Sequence, residues 1–394
     1  MAFRQFGAEE TGALAQVIES QELWRGMGEG SYTSRFEDAF AEHTGRTYVL
    51  GVNSGTSANE AALAACGLEP GDEVIVPPCS FIASSLAPVA LGAVPVFADV
   101  DPGNLTITAE AIEAAVTPKA KAVVVVHLWG IPADMAPILE VARRRGLKVI
   151  EDCAQAYDAH YRGHMVGTLG DVACYSLQQS KHITSGEGGL VVTDDPDAHR
   201  RACLYANCGM PWYRYGLERP RPADVAGIAT RGHFAYGHNY RMSELQAAVA
   251  LTQLAKIDAL NARRAENVAA IEEELRSVQG LRLATTYPDT RPNYWNYPLS
   301  LDPTHTCLTT RDVGLPRYNE INYLEVVFQE MQRCRRTSVG YPLPGYVQYE
   351  PGLCPQAEAA APRITALSVH PSREVQECRA EARDIAERMR RALA

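Results

Sequence analysis

The chain of 394 residues carries 37 Lys and Arg against 47 Asp and Glu, a net charge of −10, which argues against general nucleic-acid or anionic-membrane binding. Apolar residues make up 46% and charged residues 21%, the balance of a globular protein of two or three domains rather than a disordered chain. The start, Met-Ala-Phe-Arg-Gln-Phe-Gly, lacks a basic segment followed by an apolar one, so no signal peptide is expected. The longest apolar stretch, 122–132, is interrupted by His127 and Gly130 and is too short to span a bilayer. The ten Cys form no CxxC, which predicts buried free thiols in a cytoplasmic protein and no metal site.

In chain order, a helix is expected from Ser31, with Phe36 and Phe40 on one face and a stop near Gly45. A strand at 48–52 leads through Asn53-Ser-Gly-Thr-Ser-Ala into a helix over 59–66. Strands follow at 74–76, 94–97, 122–127 and 149–150, with helices at 82–91, 109–115 and 135–145 between them. Nearly continuous Val/Ile strands predict a parallel sheet covered on both faces, with right-handed crossovers and ligands at the carboxyl ends of the strands. After 190–193, residues 211–240 read as a long loop, and one helix is expected from Met242 to about Asn267. Helices at 265–278 and 374–393, with short strands, predict a second, smaller unit. The expected division is 1–260 and 261–394, with the first thirty or so residues on the smaller unit.

Three segments carry chemistry. In Ser54-Gly-Thr-Ser-Ala, Gly55 lets backbone approach a ligand, and N–H groups and hydroxyls face an anion at a helix N-terminus; an ordinary N-cap would use the same residues. In Val149-Ile-Glu-Asp-Cys-Ala-Gln-Ala, Asp152 ends a buried strand, where a carboxylate is costly without a partner. It either accepts a hydrogen bond from a protonated ring nitrogen, with Gln155 reaching a ring oxygen, or caps the next turn. In Tyr175-Ser-Leu-Gln-Gln-Ser-Lys-His-Ile-Thr-Ser-Gly-Glu-Gly-Gly, Lys181 in a partly apolar cleft would become a nucleophile for carbonyls; the alternative is a solvated loop lysine. Ser176 would offer a hydroxyl to a phosphate. Phe81 is either a stacking ring or a core residue. Phosphate cup, acidic strand end and lysine, in that order, match the needs of pyridoxal phosphate.

GVNSGTSANEAALAA, GDEVIVPPCSFIASSLAPVALGAVPVFADVD, VVHLWGIPADM, VIEDCAQA, GTLGDVACYSLQQSKHITSGEGG and GHNYRMSELQAAVALTQL together resemble the DegT/DnrJ/EryC1/StrS family of pyridoxal-phosphate aminotransferases. The resemblance implies an α/β fold of type I, aspartate aminotransferase-like: a mainly parallel central sheet flanked by helices, plus a smaller α+β C-terminal domain. It implies Lys181 as the Schiff-base and proton-moving lysine, Asp152 as the pyridinium partner and Gln155 as the contact to the 3′-oxygen. It further implies Gly55, Thr56, Ser57 and Ser176 at the phosphate, Phe81 stacked on the ring, and Asn239 as a phosphate ligand of the neighbouring subunit in a homodimer. His127 is expected to be structural. Relatives with His in place of the lysine dehydrate, so Lys181 implies transamination.

Gln178-Gln-Ser-Lys resembles the branch acting on keto-cyclitols, which implies glutamine or glutamate as donor and a role in aminoglycoside-like secondary metabolism. A nucleotide keto-sugar acceptor, or decarboxylation, aldol or elimination chemistry on the same fold, are the alternatives. A non-catalytic regulator conflicts with the complete Lys/Asp/Gln/Ser set, and a nicotinamide enzyme with the absence of GxGxxG after any early strand. Residues 311–351 depart from the family pattern. There Arg317, Arg333, Arg335 and Arg336 are candidates for substrate recognition or simply a charged surface.

Overall fold

The computed structural model describes residues 4–25, 28, 30–220, 232–317, 320–337 and 340–394. The apolar runs of the first half become strands of one sheet. They are β1 (Tyr48–Val52), β2 (Glu73–Val76), β3 (Val94–Phe97), β4 (Ala120–Val126) and β5 (Lys148–Asp152). After a small hairpin of β6 (His160–Tyr161) and β7 (His164–Met165) come β8 (Val172–Ser176) and β9 (Gly189–Thr193). The order is β1-β9-β8-β5-β4-β2-β3. Strand β9 is antiparallel to both β1 and β8, while β8, β5, β4, β2 and β3 pair in parallel. The sheet is therefore mainly parallel with one reversed strand, because the connection 177–188 turns back beside β8 instead of crossing the sheet.

Helices α1 (Ala8–Ser20), α2 (Tyr32–Thr44), α3 (Gly55–Ala65), α4 (Ala83–Ala90), α5 (Ala109–Ala115), α6 (Met135–Arg145) and α7 (Pro196–Ala206) belong to this half. Ser31 caps α2 by accepting from the Ser34 N–H, and Gly45 ends it in the left-handed region. Strand β4 shows why its sequence does not alternate. Val124 and Val126 pack into the core shared with α3, and Val123 and Val125 into the opposite core with α6. A strand covered on both faces needs apolar residues at every position.

The helix expected over 242–267 is two helices, α8 (Glu244–Leu254) and α9 (Ile257–Leu275). Nothing in Ala255-Lys256 breaks a helix locally. The break is tertiary: Lys256 Nζ binds the Glu10 carboxylate at 2.7 and 2.9 Å, and Gln253 donates to Glu10 and to the Gln5 carbonyl. Ala13 and Val17 of α1 pack on Ala248 of α8, where the sequence suggested a seat on the smaller unit. Of the loop expected at 211–240, residues 221–231 lie outside the described residues, and the rest shows no helix or strand.

The smaller sheet is β10-β12-β13, from β10 (Leu281–Arg282), β12 (Asn296–Leu301) and β13 (Ile364–Ser368), while β11 (Thr290–Arg291) pairs with β6. Besides α10 (Val326–Cys334) and α11 (Pro355–Ala360), the C-terminal part holds α12 (Val375–Leu393). Ile271, Leu275, Tyr297, Leu299, Ile385 and Met389 form the core between α9, α12 and this sheet. The atypical segment packs elsewhere. Tyr323, Phe328 and Tyr349 surround Phe97 at ring distances of 5.2–5.4 Å, and the Tyr349 hydroxyl donates to the Pro95 carbonyl. It thus covers the edge strand β3, whose unpaired backbone would otherwise be open. Among the described residues no helix is long and apolar enough to cross a membrane.

Candidate active site

The strand ends β1, β2, β4, β5 and β8 converge on a cavity of about 490 Å³. Its floor begins where α3 starts. Ser54 caps that helix by accepting from the Ser57 N–H at 3.1 Å. Gly55 lies so close to Ser176 that a Cβ added to it would sit 2.6 Å from the serine Cβ. Only glycine allows the helix terminus and the β8 end to meet here. Gly55, Thr56 and Ser176 all line the cavity. Ser57 does not: its hydroxyl donates to Asn53 Oδ1 at 2.6 Å and touches Ser54 Oγ at 2.8 Å.

Asp152, at the end of β5, is buried and faces the same cavity. Its Oδ2 accepts from Ser84 Oγ at 2.7 Å and Asn59 Nδ2 at 3.2 Å, and its Oδ1 from the Ala154 N–H at 3.0 Å. These donors fix the direction of its two oxygens. Gln155 accepts the Trp129 N–H at 2.8 Å through Oε1, which leaves its amide NH2 to present to the cavity. The turn that supplies this N–H is tight. Trp129 has φ 57°, and at Gly130 (φ 92°) a Cβ would meet the Asn293 carbonyl oxygen at 2.0 Å.

Lys181 is 8% exposed, and its Nζ rests 3.8 Å from the centroid of the Trp295 ring. Burial pushes the amine pKa from 10.5 down to about 8; Asp152 pulls it up and Arg264 pushes it further down. A buried amine of this kind is partly neutral near neutral pH and can attack a carbonyl. Phe81 lines the cavity and is 68% exposed, so it is not a core residue. Its turn is propped by Asn322, whose amide donates to Ser80 Oγ and Ser85 Oγ and whose N–H donates to the Pro78 carbonyl.

Asn239 is exposed, bridges to Asn207 and is not among the residues lining this chain's own cavity. None of the four arginines lines the cavity either. Arg317 and Arg333 pair with Glu320 and Glu330, Arg335 donates to the Pro344 and Val347 carbonyls, and Arg336 lines a separate surface groove. Asn59, Ser84, Asn322, Trp295 and Arg264 were not singled out by the sequence. Asn59 had a signal: it lies four residues after Gly55, on the same helix face.

His127, Glu151 and Cys153 lie close enough together to suggest a metal, but the Glu151 carboxylate and both His127 nitrogens are engaged with one another and with backbone N–H groups. The Glu151 carboxylate accepts from His127 Nε2 and from the N–H groups of Gly167, Leu169 and Gly170 at 2.6–3.0 Å. His127 Nδ1 accepts the Ala133 N–H. Burial alone would raise the Glu151 pKa; His127 and the backbone donors overcome it and hold the pKa below 4.5. The stability this adds is present above pH 4.5 and lost as pH falls through the lower folded value. Glu151→Ala leaves these donors unpaired and is expected to destabilise the fold by about 3–5 kcal/mol. Thermal melts at pH 7 check this, and a melting temperature equal to the parent's refutes it.

Pyridoxal phosphate fits these residues. The α3 terminus beside Ser176 is a cradle that a single Cβ would fill, the buried carboxylate is fixed by three donors, and the amine is depressed in pKa in the same cavity. The family model of the DegT/DnrJ/EryC1/StrS aminotransferase family matches residues 4–389. The chain belongs to this family. An L-glutamine:2-deoxy-scyllo-inosose aminotransferase of Streptomyces lividus is 41% identical over 286 residues, 72% of this chain and 66% of its own length. A GDP-perosamine synthase of Caulobacter vibrioides is 42% identical over 247 residues, 62% of each chain. The chain thus spans about two thirds or less of the length of these curated relatives. The solved structure of 3-amino-5-hydroxybenzoic acid synthase is 30% identical, with a TM-score of 0.84 over 99% of this chain and 98% of that one. The DegT/DnrJ/EryC1/StrS chain therefore has the type I aminotransferase fold expected from its sequence.

Proposed function

We propose that the chain is a pyridoxal-phosphate-dependent aminotransferase that moves an amino group from glutamine or glutamate to the ketone of a cyclitol. The observation that carries this is the buried Lys181 amine, in one cavity with Asp152 and the α3 terminus. When bound, the cofactor supplies an aldehyde for the lysine and an electron sink that acidifies Cα–H of the donor. The N–H groups at the start of α3, with Thr56 and Ser176, would hold its phosphate. Asp152 would pair with the ring nitrogen, Gln155 would donate to the ring oxygen, and Phe81 would pack on the ring. Lys181 Nζ, facing the cavity, would take the proton from the donor Cα as base and hold it for return as acid.

The Streptomyces relative, named for L-glutamine and 2-deoxy-scyllo-inosose, supports a keto-cyclitol acceptor, and the proposal places the reaction in aminoglycoside-like secondary metabolism. The Caulobacter relative favours a second reading, a nucleotide keto-sugar acceptor. A cytoplasmic homodimer with shared sites completes the proposal: Asn239, exposed and outside its own cavity, would bind the phosphate of the neighbouring subunit. Assays pairing glutamine and glutamate with a keto-inositol and a nucleotide 4-keto-sugar decide among these readings. Stoichiometric 2-oxo acid and aminocyclitol are expected. Amination of the keto-sugar alone selects the second reading, and carbon dioxide without 2-oxo acid overturns transamination.

A further inference from the structure

Arg264 of α9 is a charged side chain that this mechanism leaves unused. It is 1% exposed. Its Nη1 donates to the Trp295 carbonyl at 3.0 Å, and its Nη2 to the carbonyls of Lys181 at 3.0 Å and Ser180 at 3.3 Å. The Trp295 indole N–H also donates to the Ser180 carbonyl, at 2.7 Å. One guanidinium therefore joins the loop that carries the lysine to the ring that faces its amine. Burial lowers the Arg264 pKa from 12.5 to about 9, which leaves it protonated at neutral pH. Among the described residues it has no carboxylate partner, and an uncompensated buried cation is costly.

The charges around the lysine are few. Asp152 faces the amine from β5, and Glu187 lines the same cavity from the loop 177–188. His182 and, before α12, His370 are held neutral by burial with Arg264 adding to the effect, His370 at about 4. The field at the amine is thus set chiefly by Asp152 in front and Arg264 behind, with opposite signs.

We propose that Arg264 is a positioning residue for Lys181: by tying the carbonyls of Ser180, Lys181 and Trp295 it stands the amine against the indole face with a fixed positive charge behind it. The inference rests on Lys181 being the cofactor-binding amine. Asp152 and the indole face favour the ammonium, whereas Arg264 favours the neutral amine that can react.

The test uses the full-length protein freed of cofactor and mixed with pyridoxal 5′-phosphate across a pH series. The lysine nitrogen attacks the aldehyde carbon, the carbonyl oxygen leaves as water, and borohydride supplies the hydride that reduces the C=N bond to a stable amine. Intact mass and peptide mapping then give the rate and the position of capture. In the parent protein capture at Lys181 should rise through a midpoint near 8. In Arg264→Gln the midpoint should move up by about one pH unit, with about tenfold slower capture at pH 7, and Arg264→Lys should restore the midpoint while capturing severalfold more slowly at its plateau. Equal midpoints in the parent and Arg264→Gln overturn the proposal. If Arg264→Gln does not fold, Arg264→Lys decides: a plateau rate equal to the parent's overturns it. Capture at another lysine in the parent overturns the underlying reading of Lys181 as well, so the two failures are distinguishable.

Discussion

Lys181→Ala is expected to abolish covalent capture of pyridoxal phosphate and to lower turnover by about 10⁴-fold or more, roughly 5 kcal/mol of barrier. The fold should survive. The backbone of Lys181 carries its other polar ties, the N–H donating to the Gln178 carbonyl and the carbonyl accepting from Arg264, and alanine keeps both. The parent protein also bears a cost that the variant loses. The folded state binds the lysine proton less tightly than the unfolded chain, with a pKa of about 8 against 10.5. That difference costs the folded state about 3 kcal/mol below pH 8, and the cost disappears as pH rises from 8 towards 10.5. Offset in part by lost methylene packing, the variant should melt at no lower temperature than the parent at pH 7, with its relative advantage shrinking above pH 8. Borohydride trapping, turnover assays and pH-resolved melts read all three. A variant that still captures cofactor and turns over removes Lys181 from its role.

Asp152→Asn should show a different pattern. Capture at Lys181 persists, while transfer from the amino acid slows by about 10²–10³-fold, or 3–4 kcal/mol, because a preorganised charge is lost. An asparagine cannot serve both sides of the site. Ser84 and Asn59 donate to one oxygen and the Ala154 N–H to the other, so either orientation of the amide sets a donor against a donor. Removing the carboxylate also removes the pull that holds a proton on Lys181, which moves the capture midpoint to lower pH. Single-turnover rates with glutamine as donor, together with the capture profile, test both effects. A transfer rate within threefold of the parent's would show that Asp152 is not the ring-nitrogen partner.

What was legible in the sequence was local. The ends of β4 and β5, the α3 terminus and the loop bearing Lys181 each lie within a few residues of the strand that presents them. Val/Ile runs and glycines were therefore enough to place Gly55, Asp152 and Lys181 at one edge of a parallel sheet. Ser57 carries the same residue type as a ligand would, yet it stands one turn into α3, where the cap formed by Ser54 and Asn53 takes its hydroxyl. The division between α8 and α9 left no local mark, because a lysine–glutamate contact 246 residues apart produces it. Arg264 and Trp295 were hidden for the same reason. A buried arginine looks like a surface arginine until the carbonyls it binds are brought to it from another part of the chain.

The ties on the lysine loop also have an order in time. Arg264 reaches the Lys181 carbonyl across 83 residues, and Trp295 reaches the Ser180 carbonyl across 115. Contacts spanning such distances close late, after the local pairings of the sheet. While the chain is being made, the strands that flank residue 181 are all outside the ribosome long before residues 264 and 295, and N-terminal parts fold first. Pulsed hydrogen exchange during refolding is expected to protect the central sheet before the lysine loop. The final position of the reactive amine therefore depends on contacts that only the second half of the chain can supply.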